Sequence, residues 1–176
     1  ERDGAAGNLA APRGLGEYVY GAGRNPENAR GNGLPRITVE EPGPLVASLR
    51  VECEAPGCNR LAREVRIIDG MDWADLVVTI DKRKVRTPEG VHIGFACNVP
   101  GGQMRVEVPW GIVRPELDQL AGACRNYFSA GRWVDVSGGE RGLTVATLDC
   151  PLIEVGSIAV DVPRPLGAEG WIERLE

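Results

Sequence analysis

From Pro44 onward the chain alternates apolar and polar residues with a period of two, in one run after another. Leu45, Ala47, Leu49, Val51 and Cys53 alternate with Val46, Ser48, Arg50 and Glu52. Successive side chains of a strand point to opposite faces, so this pattern fits a strand with one buried face and cannot sit on a helix of 3.6 residues per turn. The first set is expected to face a core. Val65 and Ile67 alternate with Glu64 and Arg66 up to Asp69-Gly70, a strong turn dipeptide. Leu76, Val78 and Ile80 alternate with Val77, Thr79 and Asp81, both faces being partly apolar, which predicts a central strand covered on both sides. Ile93, Phe95, Cys97 and Val99 form the next stripe, and Gly101-Gly102 turns the chain. Met104, Val106, Val108 and Trp110 then alternate with Arg105, Glu107 and Pro109, which puts Trp110 in phase with a core stripe. Further strands are expected over 132–136, 143–148 and 153–160, with a turn at Gly138-Gly139 and Arg141-Gly142.

About eight strands at hairpin spacing make an all-β, antiparallel β-sandwich the expected fold. A helical turn within 115–124 is the sole helical expectation. The 24 glycines and 13 prolines suit the many turns such a fold needs. The 176 residues fit one domain of ordinary size, large enough to do without a disulfide or metal staple. Residues 1–36 are rich in turn formers and are expected to be loop-like, with one short strand over Glu17 to Tyr20. Residues 37–162 carry the sandwich. Residues 163–176 end on an apolar-polar alternation and read as a tail cut from a longer chain.

A net charge of −5 and a pI near 5.1 argue against nucleic acid or an anionic membrane as partner. Lys82-Arg83-Lys84 with Arg86 lies between two strand patterns and reads as a solvated loop. No apolar run approaches the ~20 residues of a membrane span. The first residues are charged and small, unlike a signal peptide. The five cysteines, Cys53, Cys58, Cys97, Cys124 and Cys150, are odd in number and scattered. Buried free thiols in a reducing, cytoplasmic setting are the expectation, although Cys53 and Cys58 could pair across a turn.

Catalytic signals are sparse. His92 is the single histidine, and a zinc hydrolase site needs several converging His, Asp or Cys ligands. A structural role for His92 is the better reading. Gly-x-Ser-x-Gly and a Walker phosphate loop are absent, and Gly21-Ala22-Gly23 falls short of a dinucleotide fingerprint. Cys124 beside Arg125 lacks a histidine partner for thiol chemistry. Asp69, Asp72 and Asp75 flank a turn and suit capping better than glycoside hydrolysis. Among the four tryptophans, Trp110 is expected to be packed, Trp133 to face away from Val134 and Val136, and Trp73 to be the most exposed. Between Gly111 and Tyr127 the alternation stops. Arg114, Glu116, Asp118, Gln119, Arg125, Asn126 and Tyr127 crowd this stretch, and a long polar loop on a β scaffold usually marks a site or contact surface.

The segments P-G-P-L-V-A-S-L-R-V-E, A-P-G-C-N-R-L-A-R-E-V-R-I-I-D-G-M-D, V-H-I-G-F, N-V-P, V-P-W, V-R-P-E-L-D-Q, C-R-N-Y-F, R-W-V-D-V and A-T-L-D-C-P-L-I-E-V-G, with G-L-G-E-Y-V-Y near the start, carry a family likeness. The chain resembles, from about Gly14 to Ile158, the C-terminal β-sandwich region of bacterial glycoside hydrolase family 38 proteins, the α-mannosidase family. The resemblance implies a fold like the galactose mutarotase supersandwich, with strands missing at both ends. It implies a retaining hydrolase whose aspartate nucleophile and zinc ion reside in a separate catalytic domain of the same polypeptide. No position here matches that domain, so no catalytic or zinc residue is carried over.

The chain is therefore expected to be a non-catalytic scaffold and pocket wall, with the catalytic domain as its partner and α-linked mannose as the parent's substrate. Within the 111–127 loop, Arg114 is expected to hydrogen-bond sugar hydroxyls. Glu116 and Asp118 would orient it or accept from hydroxyls. Tyr127 and the exposed Trp73 would stack on sugar rings. The competing reading is a stand-alone carbohydrate-binding module. A mutarotase-like enzyme is a poor third, because that chemistry wants more than one histidine. A sandwich missing strands exposes sheet edges, through which two copies could pair as a homodimer.

Overall fold

A computed structural model describes residues 10–156 of the chain, apart from Arg24 and Glu140. The fold is all-β and antiparallel, as the alternation predicts; among the described residues the only helical segment is a 3-10 turn, Pro26–Asn28. The chain divides into two compact units, one of Gly16–Gly94 and one of Glu1–Leu15 with Phe95–Glu176. The divisions fall inside two strands, β1 (Ala10–Ala22) and β7 (Glu89–Cys97). The expected tail at 163–176 and Trp171 lie outside the described residues.

In the unit of Gly16–Gly94, β3 (Arg36–Pro42), β4 (Val46–Cys53), β5 (Cys58–Ile68) and β6 (Ala74–Lys82) form a four-stranded meander in chain order. Asp69-Gly70 turns β5 into β6 as expected, with Gly70 at φ 79°, a value that favours glycine. Strands β1 and β7 pair with each other, and the short β2 (Arg30–Gly31) pairs on the far side of β1. Tyr18 and Tyr20 of β1 and Val91 and Ile93 of β7 pack on Cys53, Cys58, Leu61, Val78 and Ile80 of the meander. Tyr18 and Leu61 are completely buried. Burial of a leucine that far is worth about 2 kcal/mol before the cost of any cavity is counted.

Three expectations change here. Strand β1 runs for 13 residues where a four-residue strand is expected, and it takes in Gly14 and Gly16 at φ 74° and 78°. Strand β6 is an edge strand of the meander among the described residues, not a central one. Its second apolar residue, Val77, is exposed rather than covered. Finally, register places Val39, Leu49, Val65 and Leu76 side by side on the face that carries Leu61. Among the described residues, only the Cys53–Leu61–Ile80 end of that face is covered; Ile37, Val39, Leu49, Val65 and Ile67 remain exposed.

In the other unit, β8 (Gln103–Val108), β9 (Gly111–Val113), β11 (Trp133–Gly138) and β12 (Arg141–Ala146) form a sheet of order β12-β11-β8-β9. Strands β10 (Tyr127–Ser129) and β13 (Leu152–Glu154) pair separately. Val106, Phe128, Ala130, Val134 and Val155 make the core, with Met104, Val108, Val113 and Ile153 against it. The opposite face of the sheet is polar. Arg105 donates to Asp135 Oδ2 at 3.3 Å and to Ser137 Oγ at 2.8 Å, and Thr144 donates to Asp135 Oδ1 at 2.8 Å. Trp133 precedes the buried Val134 and so lies on this polar face, as its phase predicts.

All five cysteines are free thiols. Cys58 is buried, Cys53 and Cys97 are half-buried, and Cys124 and Cys150 are exposed, contrary to the expectation of burial for those two. Burial raises the Cys97 thiol pKa above its ordinary value.

Candidate functional site

The stretch expected to be a free loop from Gly111 begins as a hairpin. Val108 pairs with Gly111, Glu107 with Ile112 and Val106 with Val113, so the chain reverses over Pro109-Trp110. Proline fixes φ at the first turn position, and where such a turn is of type II the second takes a positive φ, a place usually filled by glycine. Trp110 takes it here, at φ 67°. For a bulky L-residue that conformation costs about 1–2 kcal/mol. The alternation therefore ends at Val108, and Trp110 is not packed on the core as expected but wholly exposed, at 106% of its reference area.

Beyond β9 the loop folds on itself. The Arg114 carbonyl accepts from the N–H groups of Leu117 and Asp118, both at 3.1 Å, closing a tight turn in place of the helical turn expected within 115–124, since Glu116 sits at the left-handed φ of 69°. The turn brings Asp118 back under Arg114. Arg114 Nε donates to Asp118 Oδ1 and Oδ2 at 3.1 and 2.9 Å, its Nη2 to Oδ1 at 2.6 Å, and its backbone N–H to Oδ2 at 2.8 Å. Asp118 thus holds the Arg114 side chain in place. Glu116 is exposed at φ 69°, with its N–H donating to Gln119 Oε1 at 3.1 Å. Gln119 donates onward to the Cys124 carbonyl at 2.7 Å. Buried Asn126 closes the loop, its side-chain amide donating to the Val155 carbonyl at 3.3 Å.

Of the five candidate residues, Arg114 and Asp118 are brought together. Glu116 lies between them in the turn and bonds to neither among the bonds described. Tyr127 stands in β10 with its hydroxyl donating to Glu154 Oε1 at 3.0 Å, so it braces the β10–β13 pair. Trp73 belongs to the other unit, in the turn before β6, and is 57% exposed. His92 lies with its ring over Gly90.

The Arg114 hydrogen bonds, first the side-chain ones and then the backbone one, hold the Asp118 carboxyl at a pKa of about 2 against an ordinary 3.8. A group whose folded pKa is depressed stabilises the fold above its unfolded pKa and loses that contribution as pH falls toward the folded value. The loop is accordingly expected to keep its shape down to about pH 4 and to loosen between there and pH 2. Following the Asp118 carboxyl by NMR through an acid titration should give a midpoint of about 2, moving back toward 3.8 in Arg114→Ala. A midpoint near 3.8 in the unaltered protein would mean the pair does not hold in solution.

Two further polar groupings escaped the sequence reading, because both depend on strand pairing. Beside the Pro109-Trp110 turn, Arg132 donates to Glu107 through Nη2 at 2.8 Å and Nε at 3.0 Å, which keeps the Glu107 carboxyl below its usual range. In the other unit, Lys82 Nζ and the Tyr20 hydroxyl each donate to Glu89, both at 2.6 Å, lowering the Glu89 pKa. A depression of about 540 Å³ in that unit is lined by Glu54, Cys58, Asn59 and Arg83 among others, and contains none of the five candidates. The zinc ion implied for the parent enzyme finds no fit here: among the described residues no group of three or more His, Cys, Asp or Glu side chains is placed to hold a metal. No helix among the described residues is long and apolar enough to cross a membrane.

Comparison with protein-family models, with curated proteins and with solved structures finds no match for this chain.

Proposed function

We propose that this chain is the non-catalytic β-sandwich portion of a family 38-type α-mannosidase, a supersandwich piece that scaffolds the enzyme and walls its sugar pocket. Hydrolysis would belong to a zinc-bearing catalytic domain of the same polypeptide. The dispersed segment likeness and the all-β antiparallel architecture support the reading. The observation that carries it is the Arg114–Asp118 pair on an exposed turn. A guanidinium already held by a carboxylate is oriented before ligand arrives, so less order is lost when it donates to a hydroxyl.

A second reading is favoured by the exposure of Trp73 and Trp110, two separate aromatic surfaces of the kind sugar rings stack on. In that case the chain is a stand-alone carbohydrate-binding module.

Aryl α-mannoside hydrolysis by this chain, and by the longer product of the same reading frame, separates the two. The expected result is activity in the longer product alone, abolished by a chelator. Activity in this chain by itself would overturn the proposal. Silence from both, with sugar bound by the chain, would select the module instead.

A further inference from the structure

We infer that Trp110 is a stacking platform for a pyranose ring, with the neighbouring Glu107–Arg132 pair supplying the hydrogen bonds that orient the sugar. The inference rests on the carbohydrate-facing reading above and deepens it, joining Trp110 to the Glu107–Arg132 pair in one subsite.

The indole takes no part in either hydrophobic core of the described residues. It is wholly exposed, and the backbone beneath it adopts φ 67°, where glycine would be comfortable and tryptophan is not. Strain kept at one exposed aromatic points to a use outside the fold. The hairpin that presents the ring is firm, because its third pair, Val106 with Val113, is anchored by a Val106 buried completely in the core. A ring presented on a rigid turn loses little freedom on binding.

Glu107 sits one pair behind the turn's closing pair, opposite the exposed Ile112. At strand spacing that is about 7 Å from the turn, within the span of one sugar ring and its hydroxyls. Arg132 Nε reaches both Glu107 carboxylate oxygens, at 3.0 and 3.3 Å, with the Arg132 side chain 80% exposed and the Glu107 side chain 17% exposed, so the guanidinium presents the larger face to a ligand. A carboxylate and a guanidinium side by side offer acceptors and donors together. That arrangement suits vicinal hydroxyls, each of which can donate and accept at once. A pyranose also presents an apolar C–H face that can lie on an indole. A purely apolar partner would have to strip water from the ion pair without replacing its hydrogen bonds, which is costly. An anionic lipid surface is opposed by the net charge of −5.

The test is titration of methyl α-mannoside into the 176-residue chain, read by calorimetry and by indole N–H shifts in NMR. The shift should fall on Trp110. Trp110→Ala should weaken binding at least tenfold, Trp110→Phe should restore part of it, and Glu107→Gln should weaken binding without touching the ring. Trp110→Gly should raise the melting temperature while it abolishes binding, a combination that a structural tryptophan cannot produce. Unchanged affinity in Trp110→Ala, or a lowered melting temperature in Trp110→Gly, overturns the inference and leaves the mannosidase reading standing. No binding by the unaltered chain also overturns it; the mannosidase reading is then judged separately, by the activity of the longer polypeptide.

Discussion

Phe128→Ala is expected to cost the unit formed mainly by Phe95–Glu176 about 4 kcal/mol, the middle of the range for removing a buried phenylalanine. Phe128 is the largest side chain of that core and pairs with Ile153 in a two-stranded arrangement only three residues long. Such a pair has few backbone hydrogen bonds to spare, so its place depends on the ring. Asn126 lies two positions before Phe128 and closes the 114–126 loop through the Val155 carbonyl. Loss of the ring should therefore reach the Arg114–Asp118 turn as well. Denaturant unfolding checks the energy, and amide exchange at β10 and β13 checks the location. Phe128→Leu, which keeps more of the volume, should cost less. A loss under 1 kcal/mol for the alanine variant would mean that β10 is not held by this core.

Leu61→Ala is expected to remove about 3 kcal/mol from the unit of Gly16–Gly94. Leu61 is completely buried at the covered end of the meander, paired with Cys53 on one side and Ile80 on the other. Tyr18 packs on it, with its hydroxyl committed to the Pro56 carbonyl at 2.6 Å. The tyrosine is not free to swing into the space, so the cavity should persist and its cost be felt in full. Every 1.4 kcal/mol is a factor of ten, so the unfolded fraction should rise more than a hundredfold. Leu61→Met should be tolerated within about 1.5 kcal/mol, because it conserves volume. Exchange protection of the β4–β6 amides should fall in the first variant and hold in the second.

Much of this architecture is written in local pattern. The alternation from Leu45 to Cys53 locates β4 and its faces, and Asp69-Gly70 locates the next reversal, because both are properties of neighbouring residues. Whether a face is covered is not such a property. Leu49 and Cys53 lie on one stripe, yet only Cys53 meets the opposing sheet. Val77 makes β6 look buried on both sides, although no described strand pairs beyond it. Trp110 follows the phase of Met104, Val106 and Val108, but Pro109 ends the strand, and Pro-Trp-Gly could have been read as a turn. In the candidate site the Arg114–Asp118 spacing of four was legible. The bonds from Tyr127 to Glu154 and from Arg132 to Glu107 were not, since they join residues 27 and 25 positions apart through strand pairing.

The half-covered meander also governs how this protein must be assayed. Ile37, Val39, Leu49, Val65 and Ile67 form an apolar strip on the native surface. Dyes such as ANS brighten on such surfaces and are commonly used to report loosened, partly folded states. With this chain the dye should be bright before any heating begins. A melting curve followed by dye fluorescence would start high and could fall as the strip is dismantled, giving an inverted or missing transition. Stability is better followed by circular dichroism or tryptophan emission, and a bright dye signal at room temperature should not be taken as a sign of misfolding.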